Sequence, residues 1–486
     1  GDHEGGYTSF SFPATEALVR GSNTLAVQVD NRRHLLKVPG DVGWFNYGGI
    51  YRPVRIEVRP EIHLADIHVR TKTVNPAAVL SVKVRVEGPA SFLPGTATVR
   101  IDLLDREMGL PVASSSRSFY WTGQEELSTF ELRINRKFAR LWSPEDPYLY
   151  KLRTRLTFEE QQLDQTFTKI GIRTISVSGR DFLLNGEPCP VRGICYFPDF
   201  EKTGLTLDGK AFARDLANFR ELGINAIRSH FLLERRMLDA CDSLGLLVWH
   251  DIPVYWVRDY DRYTLMLARE IAREMAASDR NRPCMAVWSL GNENDMRDTD
   301  RTSFFTALRD EVKRCVPDAV ISLASYLDNW ANVEKYVDVM CVNIYPGWYN
   351  FLNHDPIMWH AKPEMLEKDI ARFAGLFRKS IESNSPMPLW VGEIGGGAAF
   401  GMYKDDPWRL FSEDYQATLV KKQLELIESI PEISGLFLHR YNDYNDPSRM
   451  EVPGQNGRNL KGIVTIDGKR KKAFEVLKAF YRRWKR

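Results

Sequence analysis

The sequence has no long apolar run and almost no net charge. No stretch of 18 apolar residues occurs among its 486 residues, so a membrane-spanning helix is not expected. The formal net charge of +2 gives no overall attraction to nucleic acid or to a membrane surface. Residues 1–7 lack the basic and apolar regions of a signal peptide. With 43% hydrophobic residues the composition is typical of a globular protein. Because composition indicates no particular function, the evidence for one has to come from local motifs.

Cysteine is sparse, and its spacing fits neither disulfides nor a zinc site. No CxxC pair occurs, and the strand-rich first third contains no cysteine. The six are Cys189, Cys195, Cys241, Cys284, Cys315 and Cys341. This pattern predicts buried free thiols and favours a cytoplasmic location without excluding secretion. Because HExxH and similar metal-ligand spacings are also absent, we predict no obligatory transition metal and no cofactor, while structural metal ions stay open.

The first 178 residues show β patterns. Residues 24–30 alternate with period two after a turn at 21–23, and a glycine turn precedes another predicted strand within 45–58. Three or four strands are too few to close a sandwich, so residues 1–60 are predicted to be part of a domain that either begins upstream or is reduced. From 61 to 178, short strands punctuated by Pro, Gly and Asp predict an immunoglobulin-like sandwich.

From residue 179 to 486, strand-like and helical runs alternate, which is typical of a (β/α)₈ barrel. We predict eight strands near residues 190–195, 224–229, 246–250, 285–290, 319–324, 338–343, 388–393 and 433–438. The basic tail after Gly468 has apolar residues at helical spacing. It predicts a final barrel helix with a solvated basic face, and a nucleic-acid patch is the alternative.

Two of the predicted barrel strands end in a single carboxylate. Residues 286–290 are an apolar run followed by Gly-Asn-Glu-Asn, which puts Glu293 at the carboxyl end of the fourth strand. Residues 388–391 precede Gly-Glu, which puts Glu393 at the end of the seventh. Catalytic groups of barrels lie at these ends, although each Glu could also belong to a polar turn. Two carboxylates are what hydrolysis of a glycosidic bond requires.

Several motifs in chain order resemble glycoside hydrolase family two, the β-galactosidases, β-glucuronidases and β-mannosidases. They lie at residues 3–7, 45–49, 141–144, 171–173 and 182–186. The resemblance implies a partial sugar-binding jelly-roll over 1–60, a sandwich over 61–178 and a catalytic barrel over 179–486. It also implies a retaining exo-β-glycosidase, with Glu393 as nucleophile and Glu293, after Asn292, as acid/base.

The resemblance assigns further residues to the sugar site. Tyr345 is expected to touch the nucleophile and Tyr349 the sugar. The pair Asn459 and Lys461 looks like the Asn-x-Lys by which β-glucuronidases hold the uronate carboxylate, and a β-D-glucuronide is therefore the expected substrate. Three more predicted residues are Arg228, which would keep Glu393 charged, Asn292, which would bond the 2-hydroxyl, and Asp199.

The chain departs from the family pattern at four places. Phe197 stands where a His is usual, His439 where a Trp is usual, and Gly43 where β-glucuronidases tend to place an Asp. Asn294-Asp295 replaces the Pro-Asp that often follows the acid/base. The alternatives are a β-galactosidase or related glycosidase of the same family, and an inactive carbohydrate-binding protein. The expected partner is a small glycoside or oligosaccharide, and the oligomeric state is open.

Overall fold

The computed structural model of the chain shows an antiparallel sandwich followed by a closed parallel barrel. It describes residues 1–32, 38–39, 43–92, 94–257, 259–297, 300–352, 360–402, 407–451 and 455–484. The described helices include none long and apolar enough to cross a bilayer. The sandwich and the barrel confirm the predicted fold class.

The strands predicted within residues 1–60 are not formed. The described part of this segment contains a 3-10 helix, Thr15–Ala17, and no strand. Apolar side chains that a sheet would bury are exposed, among them Leu25 at 75% and Val58 at 94%. A strand needs a partner for its N–H and C=O groups, and a period-two pattern alone supplies none. The partial jelly-roll therefore remains an inference from the resemblance.

The sandwich consists of one sheet of three strands and one of four. The first has the order β1-β2-β5 and the second the order β4-β3-β6-β7, all antiparallel. The strands are β1 (His63–Thr73), β2 (Ala77–Glu87), β3 (Gly95–Leu104), β4 (Pro111–Trp121), β5 (Glu126–Asn135), β6 (Tyr150–Phe158) and β7 (Gln161–Ile170). Alternate residues of β3 and β6 point into a shared apolar core. A small antiparallel sheet follows, with β8 (Ile175–Ser178), β9 (Asp181–Leu184) and β10 (Glu187–Pro188).

Eight parallel strands close the barrel in sequence order, with the last paired to the first. They are β11 (Val191–Cys195), β12 (Ala226–Ser229), β13 (Leu247–Asp251), β14 (Met285–Asn292), β15 (Ile321–Tyr326), β16 (Val339–Asn343), β17 (Leu389–Ile394) and β18 (Ile433–Leu438). All eight predicted positions are confirmed. Five of these strands are buried at every residue, which is why they appear in the sequence as short unbroken apolar runs.

Helices connect the barrel strands. They are α1 (Gly209–Leu222), α2 (Arg235–Leu244), α3 (Arg262–Asp279), α4 (Asp300–Cys315), α5 (Trp330–Val333), α6 (Tyr349–Leu352), α7 (Pro363–Ser383), α8 (Glu413–Glu428) and α9 (Lys472–Arg483). The Asp208 side chain accepts from two backbone N–H groups at the start of α1, and Gly223, at φ 72°, ends this helix. Three 3-10 turns lie in the barrel loops (Leu327–Asn329, Glu334–Tyr336, Pro447–Arg449), as does a short antiparallel pair, β19 (Tyr444–Asn445) and β20 (Arg458–Asn459).

The sandwich contacts the barrel at the amino ends of its strands. The Arg173 guanidinium donates to the carbonyl of Met285, the first residue of β14, at 2.7 Å. The indole N–H of the fully buried Trp142 donates to the carbonyl of Asp242 at 2.8 Å. The carboxyl ends of the strands, at the opposite face, are left for the site. The predicted domain limits at 60 and 178 remain a prediction.

The basic tail forms the final barrel helix, as predicted. Four apolar side chains of α9 (Phe474, Leu477, Phe480 and Tyr481) are buried in the barrel core. Basic residues around it pair with acids, for example Arg470 and Lys478 with Glu221. All six cysteines are free and four of them are buried, as their spacing predicted.

Candidate active site

The carboxyl ends of five of the eight barrel strands meet around two glutamates. Glu293 directly follows β14, and Glu393 is the fifth residue of β17. Arg228, Asp251 and Asn343 come from the ends of β12, β13 and β16. In a parallel barrel all these ends open on one face, so residues far apart in the sequence converge there.

Arg228 connects the strand ends. It is fully buried, and one guanidinium nitrogen donates to Glu393 Oε1 at 3.1 Å. The other nitrogen donates to Asp251 Oδ2 at 3.1 Å and to Asn292 Oδ1 at 2.6 Å. The guanidinium also lies 4.8 Å from the ring of Trp249. A buried cation needs such compensation, and Arg228 finds it in two carboxylates.

Gly392 makes room for this arrangement. A Cβ at this position would lie 2.4 Å from Cys341 Sγ and 2.9 Å from an Arg228 nitrogen. The carbonyl of Gly392 also accepts from Arg228 at 3.1 Å. Any larger residue before Glu393 would therefore push the guanidinium away from the carboxylate.

Asp251 is the second counter-ion of Arg228 and also holds His230. Burial opposes its ionisation, but Arg228 and His230 together bring the Asp251 pKa below its usual range. His230 Nδ1 lies 2.7 Å from Asp251 Oδ2, and the Trp249 indole donates to Oδ1 at 2.7 Å. These bonds fix the His230 ring with its Nε2 3.7 Å from Glu393 Oε1.

Glu393 is buried, with only 4% of its surface exposed, and it lies among hydrogen-bond donors. The Tyr345 hydroxyl donates to Oε2 at 2.5 Å, while Arg228 donates to Oε1. His439 Nε2 lies 3.8 Å from Oε2. Burial, with Lys461 and Arg440 nearby, moves the His439 pKa well below its usual value, which favours a neutral ring. Each Glu393 oxygen thus faces a donor.

Glu293 lies in a different environment. It is half-buried and has a φ of 50°, which costs a non-glycine residue roughly 1–3 kcal/mol. Its oxygens accept from neutral groups, Asn343 Nδ2 at 2.9 Å and the Tyr326 hydroxyl at 3.1 Å. Burial and the nearby charge of Glu393 raise the pKa of Glu293 to about 7. This carboxyl can therefore carry a proton near neutral pH.

The side-chain amide of Asn292 is hydrogen-bonded to the described residues through its oxygen but not through its nitrogen. Its Oδ1 accepts from Arg228 and, at 3.1 Å, from Asn343 Nδ2. Its Nδ2 is buried and has no hydrogen-bond partner among the described residues. A buried donor without a partner costs about 1–3 kcal/mol, which a ligand oxygen would recover. This free donor is where the predicted bond to a sugar hydroxyl would form.

Lys461 is brought beside the two predicted tyrosines. Its ammonium lies 4.2 Å from the centre of the Tyr345 ring and 4.5 Å from that of Tyr349, and it donates to the Tyr349 hydroxyl. No carboxylate of the described residues lies within 4 Å of Nζ. Burial lowers the Lys461 pKa to about 8. Asn459 Oδ1 accepts from the Lys461 backbone N–H at 3.2 Å, so Asn459 supports the Lys461 loop.

Asp199 makes its hydrogen bonds away from the two glutamates. It is buried, and it accepts from the Tyr47 hydroxyl at 2.8 Å and from the Asn445 backbone N–H at 2.8 Å. Desolvation raises its pKa. Its contacts attach residues 1–60 to the loop after β18, and its predicted role at the sugar site stays a prediction. Trp44 of the same segment packs edge-on against Phe197 and His230, with centroid distances of 5.0 and 5.4 Å.

Three of the four family departures have local explanations. Phe197 stacks on the His230 ring at 4.4 Å, so an aromatic ring is retained where a His is usual. A Cβ on Gly43 would lie 2.9 Å from Asp446 Oδ1, so this place is already next to a carboxylate. Asn294 donates to the carbonyl of Val254 and accepts from the Tyr260 hydroxyl, which is a structural role.

The fourth departure, His439, completes a group that could hold a metal. Ligand atoms of His230, Glu393 and His439 lie within 4.8 Å of one another, and all three residues are buried. The bond from Asp251 to His230 Nδ1 is of the kind that orients metal-binding histidines. Arg228 already binds the same carboxylate, however, and its positive charge opposes a second cation there.

The loops around the mouth are fastened by one buried lysine from the chain's last segment. Lys471 Nζ donates to Asp443 Oδ1 at 2.8 Å in the loop after β18. It also donates to the carbonyls of Ala398 at 2.6 Å and Leu460 at 3.0 Å. The loop that carries Lys461 is thus tied to the loops after β17 and β18.

Sequence analysis missed Asp251, Asn343, His230 and Tyr326. Asp251, Asn343 and Tyr326 are polar residues at the ends of predicted strands, the same signal that singled out Glu293. Applied to every strand, that signal would have found them. His230 lies one residue beyond β12, and no motif of the sequence marks it.

Comparisons with known proteins identify the family of the chain. The family model described as "Glycosyl hydrolases family 2, TIM barrel domain" matches residues 175–486, and the one described as "Glycosyl hydrolases family 2" matches 62–173. The chain belongs to glycosyl hydrolases family 2. The predicted resemblance is thereby confirmed, and so is the prediction that the chain is a glycoside hydrolase.

Individual relatives of this family 2 chain include enzymes named for different sugars. A β-glucuronidase of Paenibacillus borealis is 26% identical over 99% of this chain and 80% of its own length. That of Sus scrofa is 28% identical, and the chain spans only 65% of its length. A β-galactosidase of Thermoanaerobacter pseudethanolicus is 32% identical over 71% of this chain and 45% of its own length.

Solved structures resemble the whole architecture. The GH2 β-galacturonidase of Eisenbergiella tayi bound to galacturonate has a TM-score of 0.79 and 25% identity, covering 94% of this chain and 79% of that one. A β-D-glucuronidase of Dictyoglomus thermophilum has a TM-score of 0.78 and 25% identity, covering 91% and 72%.

Proposed function

We propose that the chain is a retaining exo-β-glycosidase that removes a terminal uronic acid, with a β-D-glucuronide as the preferred substrate. Glu393 is the nucleophile and Glu293 the acid/base. The observation that carries the choice of a uronide is Lys461, a buried ammonium at the barrel mouth without a counter-ion among the described residues.

The two glutamates suit the two steps of double displacement. In the first step a Glu393 oxygen bonds the anomeric carbon as the glycosidic bond breaks, and the Glu293 proton goes to the leaving oxygen. In the second step Glu293 takes a proton from water, which displaces Glu393 and releases the sugar. Arg228 and Tyr345 stabilise an anionic Glu393, while burial and the Glu393 charge keep a proton on Glu293.

Asn292 supports recognition next to the reacting carbon. Its unpartnered Nδ2 can donate to the sugar 2-hydroxyl, a contact that strengthens as positive charge develops on the ring. Because Arg228 and Asn343 both bond its Oδ1, the amide is held with Nδ2 facing outward from them.

The charge of Lys461 favours a uronide over a neutral sugar. An isolated buried cation is unfavourable, and the lowered pKa of Lys461 expresses that cost. A substrate carboxylate would supply the missing counter-ion, and a charge-assisted bond to it is worth about 1.5–3 kcal/mol. The relatives named β-glucuronidase and the neighbour bound to galacturonate add support to this choice.

A β-galactosidase remains the second candidate, because the Thermoanaerobacter enzyme with that name is 32% identical over 71% of the chain. Parallel assays of aryl β-D-glucuronide, β-galacturonide, β-galactoside and β-mannoside separate the candidates. Turnover of the neutral sugars alone would favour the second candidate. Binding of sugar without any turnover would favour an inactive carbohydrate-binding protein.

The role of Lys461 is tested with Lys461→Met and a matched change, Lys469→Met, at an exposed lysine. We expect Lys461→Met to lower kcat/KM on the glucuronide roughly ten- to a hundredfold and to leave the β-glucoside nearly unchanged. The Lys469→Met control should alter neither. Equal losses on charged and neutral sugars would show that Lys461 is structural and would contradict the uronide assignment.

The stereochemistry is tested by NMR of the first sugar released. A retaining enzyme releases the β-anomer before it equilibrates in water. Azide should rescue a Glu393→Gly variant to give the α-glycosyl azide, and a Glu293→Gly variant to give the β-glycosyl azide. Exchange of these two products would mean that the two roles are reversed.

A further inference from the structure

A cavity adjoins Glu293 on the side where the leaving group must lie. It has a volume of about 480 Å³, and its walls include Glu293 and Tyr326 but not Glu393. If Glu293 protonates the leaving oxygen, as the proposed function holds, the group attached to that oxygen extends into this cavity. We call it the aglycone cavity. Its size is within the range of small-molecule sites.

The walls of the aglycone cavity carry charges of both signs. They include Asp295, Arg297, Asp328 and Arg372, with few apolar side chains among them. An aryl or steroid aglycone would remove these groups from water without replacing their hydrogen bonds. A sugar ring presents hydroxyls that both donate and accept, so it can bond carboxylates and guanidinium groups together.

Two exposed aromatic rings lie at the Glu293 end of this cavity: Tyr326 lines it, and Trp256, which is not among its walls, adjoins the Tyr326 side chain. Trp256 is 52% exposed and Tyr326 is 41% exposed. Trp256 has a φ of 47°, a conformation that a bulky residue rarely adopts, and its ring lies 4.9 Å from that of Tyr255. An indole held in this way offers a rigid apolar face, and the C–H face of a sugar ring packs well against such a surface.

The aromatic rings and the acid are linked. The indole N–H of Trp256 lies within hydrogen-bonding reach of the Tyr326 hydroxyl, which donates to Glu293 Oε2 at 3.1 Å. A ring stacked on Trp256 is therefore positioned relative to the carboxyl that must protonate its oxygen. Such alignment of substrate and catalytic group is a common source of rate enhancement.

We propose that the aglycone cavity, with Trp256 as its platform, binds a second sugar ring. The substrates would then be uronosyl disaccharides and oligosaccharides rather than small aryl or steroid conjugates. This proposal rests on the proposed function, because it takes Glu293 as the acid.

The test compares kcat/KM for a β-D-glucuronosyl disaccharide and for 4-nitrophenyl β-D-glucuronide. We expect Trp256→Ala to lower the disaccharide value about tenfold. The loss on the aryl glucuronide should be at least fivefold smaller. Trp256→Phe should restore most of the disaccharide activity, because a flat ring is retained. Phe138→Ala, at an exposed ring of the sandwich, serves as the matched control and should affect neither substrate.

The outcomes separate this proposal from the proposed function. Turnover of both substrates with equal losses in Trp256→Ala, a larger loss on the aryl substrate, or turnover of the aryl substrate alone would each overturn the sugar-binding cavity and leave the glycosidase assignment intact. Failure of the unaltered enzyme on both substrates would overturn the proposed function and this proposal with it. A selective loss on the disaccharide, rescued by Phe, supports the proposal.

Discussion

The two walls of the barrel mouth carry the same residue in opposite environments. On one wall Glu393 is buried against a guanidinium, and the hydroxyl of Tyr345 donates to it. On the other wall Glu293 is half-buried, accepts from an amide and a phenol, and faces an open cavity. Both end an apolar strand, so the local sequence does not distinguish them. The neighbours supplied by other strands decide which glutamate holds a proton.

The largest expected effect comes from replacing the buried Glu393. Glu393→Gln should lower kcat about 10⁴-fold or more, since roughly 5 kcal/mol of barrier depends on the nucleophile. The measurement is steady-state turnover of an aryl glucuronide by the folded variant. Glu131→Gln on the sandwich, where the exposed Glu131 pairs with Lys72, is the matched control. A loss below tenfold would mean that Glu393 is not the nucleophile.

The effect of replacing Glu293 on kcat/KM should depend on the leaving group of the substrate. We expect Glu293→Gln to slow glycosides of weakly acidic alcohols about 10²- to 10⁴-fold, because they need protonation. Substrates with strongly acidic phenols should be slowed far less. A plot of log kcat/KM against leaving-group pKa should be steeper for the variant than for the unaltered enzyme. Equal slopes would contradict the role of Glu293 as the acid that protonates the leaving group.

The protonation states should appear in the pH dependence. Glu293 acts as an acid only while protonated, so kcat/KM on substrates whose leaving group needs protonation should fall as pH rises through about 7, the pKa of Glu293. Lys461 is a cation only below its pKa of about 8. The ratio of kcat/KM on a glucuronide to that on a neutral glycoside should therefore be constant below pH 7 and fall up to about tenfold per unit above 8. A constant ratio up to pH 9.5 would contradict the role of Lys461.

The smallest expected effect concerns Asp199 and the Tyr47 hydroxyl that donates to it. Tyr47→Phe removes the hydroxyl that bonds Asp199 and Asn445, and it should lower the free energy of unfolding by about 1–2 kcal/mol. The KM for a glucuronide should change less than threefold. Thermal denaturation and steady-state kinetics on the same preparation provide both values. A large KM change with little loss of stability would return Asp199 to the sugar site.

The barrel could be predicted from the sequence because its strands are buried on both faces. An apolar run such as that of β14 is compatible with few structures besides a buried strand. The polar residue that follows it indicates the carboxyl end of that strand, where the barrel opens. Residues 24–30 show where this reasoning fails. A period-two pattern describes a surface that is half-buried, but the partner strands that would bury it are not among the described residues.

The site could be predicted only in part. Glu293 and Glu393 were found because a strand points each of them at the mouth, and the family resemblance supplied Lys461. The bonds of Arg228 to Asp251 and Asn343 could not be predicted, because the three residues lie on different strands and meet only when the barrel closes. The bond of Asp199 to Tyr47, across 152 positions of sequence, could not be predicted either, and the role of Asp199 at the sugar site stays a prediction.

The hydrogen bonds of Lys471 have a consequence for folding during translation. A ribosome delivers the chain from its amino end, and both glutamates emerge well before Lys471. Until that lysine is made, its three hydrogen bonds to Ala398, Asp443 and Leu460 cannot form. The loop bearing Lys461 therefore gains this anchor only after residue 471 has been made, and a polypeptide that stops before Lys471 contains Glu293, Glu393 and Lys461 without it.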